Sequence, residues 1–149
     1  MKSLKNLLFV FLFTMVVLPC NSQTQTPKDV LAILKSAASD FNYDEIKKHV
    51  SERNVRYIDE AKTKIENPKE KFKKSLVSVA LQTLQYDVAE ETVSANGKSS
   101  TLKTNMSVMS QPFTVDIVFI LENNKWKIDN IPNAEDIPNQ VPILKSFIK

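Results

Sequence analysis

The sequence predicts an α+β fold in which N-terminal helices pack on a four-stranded antiparallel meander. As far as Leu84, apolar residues recur at the spacing of one helix face, which favours helices. After Leu84 they alternate with polar residues, and the segments are separated by the turn sequences NGK and ENNK, which favours two hairpins. Helices and strands that are segregated along a chain define the α+β class, with the helices on one face of the sheet.

The first two predicted helices have clear start signals. Thr26 suits an N-cap, Pro27 the first helical position and Asp29 the first turn. Asn42 then suits a second N-cap, with Glu45 three residues further on in a capping-box arrangement. The apolar positions of the first helix share one face: Val30, Leu34, Ala37, Ala38 and Phe41.

Two further helices are predicted before Leu84. The segment SERNVRYIDEAKTKI carries a rough apolar stripe, and Asn67-Pro68 both ends it and suits the start of the next helix. The segment KEKFKKSLVSVALQT has one apolar face, although its β-branched end is also compatible with the start of a strand. The basic PKEKFKK stretch is typical of a solvated helix face.

The strands form two predicted hairpins. Asn96-Gly97 supplies the positive φ that a tight primed turn needs in the first hairpin. In the third strand, Val118 and Ile120 point away from the core, which suggests a partly covered surface for a homodimer or another partner. The opposite face of this strand is predicted to be core: Phe113, Val115, Ile117, Phe119 and Leu121.

The chain becomes proline-rich after the last predicted strand. Pro132, Pro138 and Pro142 interrupt residues 132–149. We therefore expect a C-terminal extension in which only the residues from Pro142 onward form a short helix. The extension is expected to cap the domain or to reach a partner.

Residues 1–22 have the layout of an export signal. Lys2 and Lys5 precede an apolar run over residues 7–18, a pattern typical of secretory signals. The run is shorter than the about 20 residues that a membrane helix needs. We therefore expect a leader that is removed, followed by one folded domain over residues 23–131.

Two cleavages fit this leader. The sequence VLPC resembles the recognition box of bacterial lipoproteins, in which Cys20 carries the acyl chains and lipid alone attaches the protein to a membrane of the cell envelope. Cleavage after Ser22 instead releases a secreted or periplasmic protein that begins at Gln23. The position of the only cysteine just past the apolar run favours lipidation.

Composition excludes several classes of function. Removing Lys2 and Lys5 from the 20 basic residues leaves 18 against 17 acidic ones, which gives no electrostatic basis for binding nucleic acid. One histidine, one cysteine and one glycine rule out His-rich and cysteine metal sites and glycine-rich phosphate loops. No metal and no cofactor are therefore expected.

Asp116 and Tyr86 are the candidates for acid/base chemistry. A carboxylate in an apolar cavity can act as a base, and a tyrosine can polarise a carbonyl. However, Asp116 shares strand parity with Thr114 and Glu122, which favours exposure to solvent. The lone histidine, His49, lies beside two lysines and is typical of a solvated helix face. A protein without catalytic residues is therefore the first expectation.

The leader and two later segments carry a resemblance to a known family. The exported leader, the helical stretch PKDVLAILKSAASDFNYDEIKKHVSE and the closing hairpin VFILENNKWKIDNI resemble small NTF2-like lipoproteins of the DUF4878 and lumazine-binding-like group. The resemblance covers residues 27–131 and contains no catalytic motif. It implies a cone-shaped α+β fold in which a curved sheet wraps the helices and leaves a pocket between them.

The function that the resemblance implies is binding. The expected ligand is a small apolar or amphipathic molecule, or a protein of the envelope, with Met106, Phe119 and Trp126 as candidate pocket residues. Relatives of this fold include ketosteroid isomerase and scytalone dehydratase, so fold alone does not choose the function. The alternative is a cofactor-free isomerase or hydratase that uses Asp116 or another pocket carboxylate, which requires Asp116 and Tyr86 to point into one cavity.

Overall fold

The expected α+β class is confirmed. A computed structural model describes residues 25–68 and 71–140, so the leader, Cys20 and the helix predicted from Pro142 onward lie outside the described residues. The helices are α1 (Pro27–Ser39), α2 (Tyr43–Lys48), α3 (Val55–Ile65), α4 (Lys71–Thr83) and α5 (Ile137–Gln140), and the strands are β1 (Gln85–Val93), β2 (Ser99–Val108), β3 (Gln111–Glu122) and β4 (Lys125–Asn130).

The predicted start of α1 is confirmed. The Thr26 hydroxyl accepts a hydrogen bond from the Asp29 backbone N–H at 3.2 Å, and the Asp29 carboxylate accepts one from the Thr26 N–H at 2.8 Å. These bonds with Thr26 hold the pKa of Asp29 below its usual value. The reciprocal pair is a capping box, which satisfies N–H groups that have no partner within the helix.

The other helices follow the sequence with one adjustment. The Asn42 side chain accepts from the Glu45 N–H at 3.1 Å, so the second predicted cap is confirmed. The third predicted segment opens with a 3₁₀ turn over Glu52–Asn54 before α3 begins. The β-branched end of α4 is helical as far as Thr83. The Thr83 hydroxyl donates to the Val79 carbonyl at 3.0 Å, and Ala80 packs on the core.

The sheet has the order β1-β2-β3-β4, and every neighbouring pair is antiparallel. Val30 and Leu31 of α1 pack against its two central strands. The predicted core face of β3 is confirmed, since Phe113 to Phe119 are buried at every second position and Leu121 is half-buried. The fully buried sheet residues are Ser100, Leu102, Thr104, Val115, Ile117 and Phe119.

Irregular pairing lies near both edges of the sheet. The register of β1 on β2 shifts between Val88 and Glu90, and that of β3 on β4 shifts between Val118 and Phe119. Bulges of this kind bend a strand and increase its local twist. The sheet is therefore bent and twisted locally at these two positions.

The first hairpin turn differs from its prediction. Among the residues of this loop only Gly97 has a positive φ, at 65°, and its N–H donates to the Ser94 carbonyl at 2.9 Å. The tight primed turn predicted at Asn96-Gly97 is therefore wrong. Two-residue turns with positive φ at both positions occur instead at Met109-Ser110 and Asn123-Asn124.

The C-terminal extension begins differently from its prediction. Residues Ala134–Asp136 form a 3₁₀ turn and α5 follows at once, so the expectation of helix only from Pro142 onward is wrong. Pro138 is the second residue of α5, where a missing N–H costs nothing because no intrahelical acceptor exists there. Ile131 and Ile137 pack on the core.

The extension also covers part of a strand edge. Within β3, the residues described as paired with β4 are 118–122. Beyond that point the Asn133 side chain accepts from the Asp116 N–H at 3.2 Å and donates to the Thr114 carbonyl at 3.4 Å. The Gln140 side chain accepts from the Thr114 N–H at 3.3 Å. These bonds replace the ladder that a longer β4 would supply.

Candidate functional site

The three predicted pocket residues do not lie together. Phe119 is wholly buried in the core, whereas Met106 and Trp126 are half-buried at its margin. Met106 is paired with Phe113 and Trp126 with Leu121, two positions about 26 Å apart along β3. The described residues therefore give these side chains no shared pocket, and a ligand role for any one of them stays a prediction.

The proposed acid/base pair lies on opposite faces of the sheet. Tyr86 is opposite Met106, which is opposite Phe113, and its ring packs on the core. Asp116 is opposite Lys103, and its position has the other parity from Phe113. Because cross-strand partners share a face, the carboxylate and the phenol cannot act on one substrate.

His49 is placed differently from its prediction. Only 13% of its side chain is exposed, and its Nε2 lies 3.1 Å from Glu45 Oε1. The expectation of a solvated helix face is therefore wrong for this residue. Hydrogen bonds from Lys48 first, and then from His49, hold the pKa of Glu45 below its usual value.

The described residues offer neither a metal-ion cluster nor a membrane-spanning helix. Residues 25–68 and 71–140 contain no group of three or more His, Cys, Asp or Glu placed to hold a metal ion. Within the same ranges no helix is long and apolar enough to cross a membrane.

Phe41 marks the strongest candidate site. It follows the end of α1 with a φ of 53°. Its N–H donates to the Ala38 carbonyl at 3.1 Å, and the Asn42 N–H donates to the Ala37 carbonyl at 2.8 Å. This is the Schellman arrangement, whose left-handed position is usually glycine. The sequence assigned Phe41 to the buried face of α1, which is wrong because the helix ends at Ser39.

The ring of Phe41 forms one wall of an open groove of about 430 Å³. The other wall is α4, over about 16 Å from Lys71 to Gln82. The Lys74 ammonium lies 5.1 Å from the centre of the Phe41 ring, within the range of a cation–π contact. The lining residues are Phe41, Lys71, Lys74, Ser75, Ser78, Val79 and Gln82.

The groove is amphipathic. Lys71 and Lys74 place two positive charges at its α4 N-terminal end, and Phe41 and Val79 supply its apolar surface. Val79 is 43% exposed, and Phe72 on the adjoining side of α4 is 75% exposed. We name this feature the Phe41 groove. One sequence signal could have found it: the N-cap at Asn42 requires α1 to end before Phe41.

Comparison with known proteins finds structural neighbours of low similarity. No family model and no curated protein matches it. An NTF2-like protein of unknown function from Cytophaga hutchinsonii aligns with a TM-score of 0.40 at 12% identity, covering 75% of this chain and 95% of that one. An M. tuberculosis LEH-like epoxide hydrolase aligns with a TM-score of 0.34 at 9% identity, covering 80% and 87%.

The fold and the groove thus define a small α+β protein with helices packed on a four-stranded antiparallel sheet and an open amphipathic groove at the end of its first helix. With TM-scores below 0.5, these neighbours do not establish the NTF2-like class that the sequence resemblance implied. The finer assignment to the DUF4878 and lumazine-binding-like group stays a prediction.

Proposed function

We propose that this chain is a non-enzymatic binding module of the cell envelope, exported and anchored by lipid on Cys20. Its ligand in this proposal is an amphipathic molecule with an anionic head and an apolar chain, held in the Phe41 groove. The observation that carries the proposal is the left-handed backbone of Phe41 beside an apolar and cationic surface.

The left-handed backbone conformation of Phe41 costs free energy. A bulky residue in the left-handed region costs about 1–3 kcal/mol, and such strain concentrates at ligand contacts. Glycine would occupy this position at no steric cost, yet the chain places an aromatic ring here. The ring is only half-buried, so burial in the core does not account for it. Contact with a ligand would explain why an aromatic residue occupies this position.

The charge and size of the groove favour the proposed ligand. Lys71 and Lys74 lie at the N-terminal end of α4, where the helix dipole also favours negative charge. The volume of about 430 Å³ falls within the range of small-molecule sites. An acyl chain along Val79 and the Phe41 ring would place its acidic head between the two ammonium groups.

The lining of the groove favours binding over catalysis. Its residues include no carboxylate, histidine or cysteine, and general acid/base catalysis usually needs such a group. The alternative of a cofactor-free isomerase or hydratase then depends on another carboxylate on the core face. Glu91 is one, but it already accepts a hydrogen bond from Ser100 at 3.2 Å and lies 3.7 Å from the Lys28 ammonium.

Binding of a dansyl-labelled fatty acid tests the proposal. We expect a saturable rise in fluorescence with the wild-type protein. Val79→Asp should weaken binding by about tenfold or more, because the acyl chain would have to bury a charge. The matched control is Val93→Asp, which introduces the same charge at a residue of similar exposure, 53%, on β1. Equal affinity of the two variants would overturn the assignment of the groove.

A second variant separates strain from packing. Phe41→Gly relieves the left-handed backbone while removing the ring. We expect its free energy of unfolding to lie within about 1 kcal/mol of the wild-type value, because relief of the backbone strain offsets the lost contacts. We also expect it to lose most of its affinity for the labelled fatty acid. Full affinity in a folded Phe41→Gly protein would show that the ring does not contact the ligand.

Export and anchoring need their own test. The sequence features that support them are Lys2, Lys5, the apolar run and the position of Cys20. Intact mass spectrometry of the protein from its native host should give a chain that begins at Cys20 and carries acyl groups. A lipid-free chain that begins at Gln23 would remove the anchor and leave a soluble exported binding protein.

A further inference from the structure

The chain contains only two arginines against 18 lysines, and both lie in one cleft. The cleft has a volume of about 410 Å³ and lies where the 3₁₀ turn and the start of α3 meet the end of β4. We name it the arginine cleft. Its lining residues are Arg53, Asn54, Arg56, Tyr57, Asp129 and Asn130.

Asp129 holds one arginine in place. Its Oδ2 accepts from Arg53 Nη2, and its backbone carbonyl accepts from Asn54 Nδ2 at 2.6 Å. Only 12% of the Asp129 side chain is exposed, and its Oδ1 is buried without a partner in the described residues. Arg53 therefore compensates the charge of a largely buried carboxylate, which would be unfavourable without a partner. Nevertheless, 67% of the Arg53 side chain faces solvent.

Arg56 is hydrogen-bonded to a neutral side chain, whereas Arg53 is bonded to a carboxylate. Its guanidinium lies 4.8 Å from the centre of the Tyr57 ring, and its Nη2 donates to the Tyr57 hydroxyl at 2.9 Å. The phenol oxygen accepts this bond, so its own O–H is free to donate. Two acids follow Arg56 on α3, namely Asp59, which is paired with Lys47, and Glu60; the first turn of this helix contains no acidic residue.

Among the residues that line the cleft, the charge balance is positive. Two guanidinium groups face one carboxylate, at the N-terminal end of a helix, where the dipole adds further positive potential. The Asn54 side chain makes no capping bond to this helix end. Arginine forks suit phosphate-type oxyanions because each offers several fixed donors.

We propose that the arginine cleft binds a tetrahedral oxyanion of the phosphate or sulfate ester class. Arg56 and Tyr57 donate to it from one side, and the exposed edge of Arg53 donates from the other. Two guanidinium groups and a phenol that line one cleft offer several N–H and O–H donors, which suits the oxygens of a tetrahedral anion. This site is separate from the Phe41 groove.

The two arginine side chains provide the readout, because their Nε–Hε groups give only two signals in a nitrogen–proton spectrum. Titration with inorganic phosphate at constant ionic strength should move the Arg56 signal saturably. Sodium chloride at the same ionic strength should not, and sodium acetate should bind more weakly. Saturable binding of acetate that is as tight as that of phosphate would overturn the ligand class.

Arg56→Gln should weaken phosphate binding by about tenfold, the loss expected for a charge-assisted hydrogen bond, whereas Arg56→Lys should lose less. The matched control is Lys125→Gln, an exposed cation on β4 outside the cleft, which should bind as the wild type does. Unchanged melting temperatures would show that the fold is retained. Equal phosphate affinity in Arg56→Gln and Lys125→Gln would overturn the site.

Discussion

Several residues of this fold adopt left-handed backbone conformations, which are sterically unfavourable for most residues other than glycine. With one glycine in the chain, positive φ angles fall on other residues. Asn123 and Asn124 tolerate this region, whereas Phe41, Met109 and Ser110 do so at a steric cost. Phe41 borders the candidate site, but Ser110 is an exposed turn residue. The backbone strain at Ser110 therefore borders no candidate site, and a substitution that relieves it should stabilise the protein.

Ser110→Gly is expected to stabilise the protein. Ser110 has a φ of 63°, and glycine occupies this region without the clash of a Cβ atom. We expect a gain of about 0.5–1 kcal/mol in the free energy of unfolding, measured by urea denaturation. The control is Ala95→Gly in the first hairpin turn, where φ is not positive and glycine should lower stability. A loss of stability in both variants would contradict the argument.

Ionisation of Glu45 makes the stability of the folded protein depend on pH. Hydrogen bonds from Lys48 and His49 hold its pKa below the usual value, so the folded protein binds this proton less readily than the unfolded chain. The stabilisation is therefore present at neutral pH and is lost as pH falls through the folded-state pKa. Glu45→Gln should show a smaller fall in urea midpoint between about pH 6 and pH 3.

A matched control for Glu45→Gln is Glu90→Gln. Glu90 is exposed on β1, and no ion pair or hydrogen bond involves its side chain among the described contacts. Its loss should leave the acid dependence of the urea midpoint as it is in the wild type. Parallel pH curves for all three proteins would show that Glu45 does not contribute.

At the scale of elements, Asn133 supplies two of the three side-chain bonds described on the free edge of β3. Asn133 accepts from the Asp116 N–H and donates to the Thr114 carbonyl. Asn133→Ala should cost about 1–2 kcal/mol, because two partly buried backbone groups lose their partner. The Asp116 amide should also exchange its hydrogen faster. Gln85→Ala, at an exposed position of β1, is the control; equal losses of stability would argue against edge protection.

Elements whose signals are local were predictable from sequence. Thr26 and Asn42 cap their helices through residues three positions away, and the alternation in β3 needs only the strand itself. The edge bonds of Asn133 join residues 17 and 19 positions apart, which no local pattern encodes. The turn at Gly97 was missed because pairing between β1 and β2 sets the loop length, not the Asn-Gly dipeptide.

The candidate sites were less predictable than the fold. The pocket expected from Met106, Phe119 and Trp126 rested on resemblance, and register separates Met106 from Trp126 along the sheet. The Phe41 groove requires knowledge of how α1 and α4 pack, which helix periodicity does not contain. The arginine cleft joins Arg53 to Asp129 across 76 positions, a contact that only the folded chain makes.

At the scale of the whole molecule, the outer face of the sheet remains the candidate for self-association. Val118 and Ile120 are half-buried there, and their cross-strand partners include Thr101 and Lys127. The same face carries charges of both signs, with Asp116 opposite Lys103 and Glu122 opposite Lys125. A surface with apolar centre and mixed charges can meet a second copy of itself across a two-fold axis.

Two apolar side chains make a small interface, so the dimer should be weak. Stable dimers bury about 1,200 Å² or more in total, and this face offers little apolar area in its centre. We expect residues 23–149 to sediment as a monomer at low concentration and to shift toward a dimer as concentration rises. Ile120→Lys should abolish the shift, whereas Val93→Lys, an equally drastic change on an exposed residue of β1, should retain it. A wild-type sedimentation coefficient that does not change with concentration would assign this face to another partner or to solvent.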